Sequence, residues 1–119
     1  MLYKIRFELM EMVELVYAVK YALCKEHDHF IQIYEWNVKG IEALRKAREK
    51  ILASMHEDCE VELDLMEIVQ LYSAVNMSWH YEKDKMTNQH DSKLGQYARA
   101  ISELEMAREK ILAAMKGAM

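Results

Sequence analysis

Apolar residues recur along almost the whole chain at alternating steps of three and four. In the first segment Leu2, Ile5, Leu9, Met12, Val16, Val19 and Leu23 keep that alternation without a break. Such a row is the a/d seam of a packed helix. It stops at KEHDHF (25–30). Asp28 is a natural N-cap, because its carboxylate can accept from the free N–H groups of a helix start. A second helix is therefore expected from about His29 to Met55. The polar stretch HEDCEVELD (56–64) follows. Asp58 is the expected cap of a third helix, and Glu57, Glu60 and Glu62 suit the positive end of a helix dipole. That helix is expected to reach about Lys85. A further break, MTNQHDS (86–92), precedes a fourth helix capped by Asp91 and ending near Lys116, with Gly117 as a C-terminal stop.

The second and fourth of these segments are nearly the same text. IEALRKAREKILASM (41–55) corresponds to ISELEMAREKILAAM (101–115) at an offset of 60. The first and third match at an offset of 56: Leu9, Met12, Val13, Leu15 and Val19 correspond to Leu65, Ile68, Val69, Leu71 and Val75. The pattern predicts an all-α, antiparallel up-down-up-down four-helix bundle over 1–119, built from two repeated helical hairpins (1–56 and 57–116). Short connections force neighbouring helices antiparallel. A lone hairpin cannot cover its own apolar face, but two can cover each other. Ile51 and Ile111 are expected in the core, and Ala47 and Ala107 where helices approach closely. Glu49, Lys50 and their counterparts are expected in solvent.

Composition fits this picture. The 119 residues are 52% hydrophobic and 30% charged, with no proline and three glycines. They form a globular chain with long helices and few turns. A net charge of -4 argues against a dedicated nucleic-acid binder, which carries a basic stripe. No apolar run approaches membrane-spanning length, and the charged N-terminal segment is unlike a signal peptide. Two cysteines, Cys24 and Cys59, make no disulfide framework, and a reducing, cytoplasmic setting is expected.

Chemistry-bearing motifs are few. Diiron bundles need Glu-x-x-His pairs, and this chain has none, nor His-Glu-x-x-His or Cys-x-x-Cys. The histidines of HDH (27–29) and His90 fall in loops expected at one end of the bundle, where solvation is their ordinary state. No nucleophile elbow or phosphate loop is present. The expectation is a protein without catalysis, metal or cofactor. Arg48 and Arg108 stand in rows otherwise made of Ile, Leu and Met. Such arginines snorkel from the flank of a core, pair with Glu11 and Glu67, or converge on a small anion. Gly40 sits inside a helix, where it costs about 1 kcal/mol against alanine, and close approach of Trp36, Trp79 or a backbone would account for it.

The first helix carries a second apolar stripe: Tyr3, Phe7, Met10, Tyr17, Tyr21 and Cys24. A helix apolar on two faces packs against two neighbours, and Tyr and Met are enriched in interface cores. The leading expectation is a helical interaction module that self-associates as a homodimer, or binds a protein partner, through this outer face. A bundle binding a small anionic molecule around Arg48, Arg108, Glu11 and Glu67 is the alternative. An engineered bundle without natural function is a third reading. A duplicated hairpin without proline suits design, whereas ten methionines, five histidines and two cysteines do not.

Overall fold

Two short segments alternate with a period of two rather than three and a half: Lys4-Ile5-Arg6-Phe7 and Glu60-Val61-Glu62-Leu63. In the computed structural model both are strands. The backbone is described for residues 1–29, 35–88 and 94–118, and the side chains for 1–23, 39–86 and 96–117. Strand β1 (Tyr3–Arg6) pairs antiparallel with β2 (Glu60–Leu63), Ile5 lying opposite Val61. Alternation then sorts the two faces of the ribbon. Ile5, Val61 and Leu63 are buried, and so is Phe7 just beyond β1. On the wet face Lys4 meets Glu62 at 3.8 Å and Arg6 meets Glu60 at 3.4 Å.

The expected helix over Leu2–Leu23 is therefore corrected at its start. Helix α1 covers Leu9–His29, and Leu2 is exposed. The third helix is corrected in the same way: α3 covers Leu65–Asn88, and Asp58 lies in the turn before β2. Helices α2 (Glu35–Met55) and α4 (Leu94–Ala118) complete the described elements. Asp28 lies inside α1 rather than at the start of α2, and Gly117 lies inside α4 rather than after it. Asp91 falls outside the described residues.

The chain is thus mostly helical, with four helices and one two-stranded sheet among the described residues. Helix α1 packs against α2, α3 and α4, and α3 against the other three. Strand β1 lies along α4, and β2 along α2. A two-stranded ribbon is marginal alone, and these helices supply its apolar support. The core holds Met12, Leu15, Val19, Ile51, Ile68, Leu71, Val75, Leu104 and Ile111, with Ala47 and Ala107 fully buried between helices. On α1 the buried stripe is turned slightly from the expected seam: Leu15 and Ala22 are buried, whereas Leu9 is exposed.

Two carboxylates are buried with this core, Glu11 and Glu67. Each occupies the first turn of its helix and accepts a hydrogen bond from the backbone three residues earlier: Glu8 N–H to Glu11 Oε1 at 2.7 Å, and Asp64 N–H to Glu67 Oε1 at 2.8 Å. Asp64 Oδ1 accepts in return from Glu67 N–H at 2.8 Å, completing a capping box. The cationic partners are Lys110 for Glu11, at 2.6 Å, and Lys50 for Glu67, at 2.7 Å. Neither Arg48 nor Arg108 takes that role, and Lys50 is not simply solvated. The reason is helical phase. Lys50 lies three positions after buried Ala47, on the same face, while Arg48 lies about 100° around the helix.

Gly40 is buried, and a Cβ there would meet the Gln70 side chain at 3.2 Å as its nearest neighbour, rather than Trp79 or a backbone; the Trp36 side chain lies outside the described residues. Gly40→Ala alone is expected to shift stability by less than the ~1 kcal/mol helix-propensity gain. Combined with Gln70→Ala, the full gain should emerge in denaturant melts. Lys110→Met strands Glu11 as a buried charge. It should lower unfolding free energy by about 2 kcal/mol in urea titrations, and adding Glu11→Gln should restore most of it.

Candidate functional site

Three helices meet around a cavity of about 310 Å³. Helix α1 contributes Glu14, Tyr17 and Tyr21, spaced so that all three fall on one face. Helix α3 contributes Ser78, Tyr81 and Glu82, and α4 contributes Gln96, Tyr97 and Ala100. Tyr21 and Tyr81 stack with ring centroids 4.6 Å apart and planes tilted by 38°. Ser78 is buried, whereas Tyr17 is 60% exposed, so the cavity runs from the bundle flank to solvent.

The site is electrostatically loaded. Burial raises the Glu14 carboxyl above its ordinary value, and the negative charges of Glu82 and Glu103 raise it further. Burial raises Glu82 as well, while the nearby Lys85 ammonium opposes the shift. The same ammonium lies 5.4 Å from the centre of the Tyr81 ring. The arrangement places four phenol rings and two partly desolvated carboxylates around one small space.

A second cluster lies where α3 meets α4. The Trp79 indole N–H donates to Glu105 Oε1 at 3.0 Å. Arg108 sits 5.0 Å from the Trp79 ring and donates to Asn76 Oδ1 at 3.3 Å, and Lys83 is 4.8 Å from the same ring. His80 meets Trp79 edge-on at 4.9 Å. Arg48, the counterpart of Arg108, is exposed. The residues 56 positions before Asn76 and Trp79 are Lys20 and Leu23, which offer neither an amide acceptor nor an indole.

The other sequence-derived positions are dispersed. Glu11 and Glu67 cap helices. Tyr3 belongs to β1 and packs partly buried against the core, and Phe7 is inside it. Met10 is exposed in the first turn of α1, on the same face as Tyr17. Tyr17 and Tyr21 are brought together at the cavity. His27 and His29 fall at the end of α1 rather than in a loop, and their side chains, like that of Cys24, lie outside the described residues, as does His90 altogether. Cys59 is a free thiol at φ 59°, its N–H bonded to Ser54 O at 3.0 Å. The sequence reading missed Glu14, Glu82 and Tyr97. The available signal was that Glu14, Tyr17 and Tyr21 share a face, as do Ser78, Tyr81 and Glu82.

Comparison of the chain with protein-family models, curated proteins and solved structures gives no match.

Because the folded Glu14 carboxyl holds its proton more tightly than the unfolded one, its contribution to stability is present at low pH. It is lost as pH rises from about the ordinary 4.5 through the raised value. Glu14→Gln, which cannot ionise, should melt at a higher temperature than the parent at pH 7.5. The difference should close near pH 4, as thermal denaturation followed by circular dichroism would reveal.

Proposed function

We propose that this chain is a non-enzymatic binding module whose working surface is the outer flank of α1. In this reading the four helices run alternately up and down as two repeated hairpins. Met10, Glu14, Tyr17 and Tyr21 recur at steps of four, three and four, and so form one stripe along α1. The observation that carries the proposal is Tyr17, a large aromatic side chain 60% exposed at the mouth of the cavity. Met10 and Tyr81 are exposed as well. Aromatic side chains of this kind supply interface area at small entropic cost, and methionine is enriched with them in interface cores. The occupant is a second copy of the chain or a protein partner.

The anion-binding alternative has less support. Arg108 is already engaged by Asn76 and Trp79, and Arg48 stands exposed on a different helix. No helix among the described residues is long and apolar enough to cross a membrane.

Light scattering after size exclusion, across a hundredfold concentration range, tests self-association. The expected mass is near twice 14.1 kDa at the upper end. Tyr17→Glu should return it to the monomer value with helical circular dichroism unchanged. A monomer throughout removes the second copy as occupant and leaves a foreign partner. Loss of helix in Tyr17→Glu would mean that the stripe is core and would sink the reading.

A further inference from the structure

We propose that the cavity between α1, α3 and α4 is a binding site for a small organic ammonium ion. The inference rests on the reading of this flank as the working surface, and adds the chemistry of what enters it.

The lining suits a soft cation. Tyr17, Tyr21, Tyr81 and Tyr97 line the cavity, and aromatic rings attract ammonium groups through the negative quadrupole of their faces, most strongly where water is excluded. The acidic groups of Glu14 and Glu82 line the same space, and Glu103 acts on Glu14 from nearby. A cation placed among them would relieve the repulsion between the acids. The volume of about 310 Å³ lies at the small end of ligand pockets, the size of a compact headgroup.

Aromatic–cation contacts already occur in this chain. Lys85 approaches the Tyr81 ring, and Lys83 and Arg108 approach Trp79. A hard divalent ion fits less well. It demands six or more oxygen ligands, and no group of three or more metal-holding side chains occurs among the described residues.

The fold does not require these rings. At the corresponding positions of the other half, Tyr17, Tyr21, Tyr81 and Tyr97 are replaced by Ser73, Met77, Lys25 and Asn37. Glu14 is replaced by Gln70, and that side chain lies against Gly40, the counterpart of Ala100. The core pairs Leu15/Leu71, Val19/Val75, Ala47/Ala107 and Ile51/Ile111 stay the same in both halves. The tyrosines thus depart from the repeat at the flank, where packing leaves the choice of residue open.

Choline chloride is the probe, with 3,3-dimethyl-1-butanol as its uncharged isostere and sodium and magnesium chloride as ionic controls. Isothermal titration of the full chain should give saturable choline binding, at least tenfold tighter than the isostere, which sodium or magnesium does not displace at matched ionic strength. Tyr97→Leu keeps apolar volume but removes the π face, and should weaken choline binding about tenfold. Tyr97→Phe should retain it. Equal binding of choline and its isostere, or no binding of either by the parent, overturns the inference without any variant. So does equal competition by magnesium.

Light scattering on the same samples separates the two readings. Association that Tyr17→Glu abolishes, in a chain that ignores choline, sinks the ammonium site and leaves the interaction surface standing. Choline binding in a strict monomer with no protein partner does the reverse.

Discussion

A carboxylate removed from water persists only where donors take the place of its hydration. Glu11 and Glu67 meet that condition with one backbone N–H and one lysine each, and the architecture follows from how those donors are supplied. The backbone donor fixes the first turn of α1 or α3. The lysine comes from another helix: Lys50 on α2 reaches forward to Glu67, and Lys110 on α4 reaches back across most of the chain to Glu11. Each half of the chain therefore caps a helix of the other. The ribbon lies at the same junctions, since β1 and β2 run directly into the turns that the two glutamates close, and each strand lies along the helix that sends the lysine.

The two junctions are not equally complete. Asp64 returns a hydrogen bond to Glu67 N–H, so the second is a full capping box. The first has Glu8 in place of Asp64, with a side chain one methylene longer, and Glu11 Oε2 is buried without a hydrogen-bond partner among the described residues. A shared arrangement has been kept with different local chemistry. That fits the ends of α1 and α3 being set by long-range packing as much as by their own caps.

Much of the helical frame was legible because Ala47, Ile51, Ala107 and Ile111 repeat with their spacing intact, and burial follows spacing. The strands were not, because a chance of register hid them. Leu2, Ile5 and Leu9 are separated by three and four residues and extend a helical seam that in fact begins at Met12. Over so few residues, the alternation of Lys4-Ile5-Arg6-Phe7 competes poorly with a row running on to Leu23. Asp58 drew attention from Asp64, although Asp64-Leu65-Met66-Glu67 is the spacing of a capping box. The arginines misled for a related reason. A row at steps of three and four is wider than the buried stripe, so Arg48 falls at its wet edge while Lys50 points to the ion pair.

The site was half legible. Tyr17 and Tyr21 stood out as an aromatic stripe, but Tyr81, Glu82 and Tyr97 join them only through the packing of α1 on α3 and α4, which no single helix records. What marks the four tyrosines, once the matching segments are aligned, is difference rather than likeness: Ser73, Met77, Lys25 and Asn37 stand at the corresponding positions, whereas Glu82 corresponds to Glu26. Several core residues recur at the matching positions, Leu15 as Leu71, Val19 as Val75, Ala47 as Ala107 and Ile51 as Ile111, although Met12 is matched by Ile68. Flank positions answer to what lies outside the bundle, and they are free to diverge. Placing Glu14 beside Glu82 and Glu103, under partial burial, works against folding at neutral pH, and nothing in the packing calls for it. Local sequence choices that oppose stability gather where a protein binds. In this chain Glu14, Glu82 and the rings of Tyr17, Tyr21, Tyr81 and Tyr97 line one cavity.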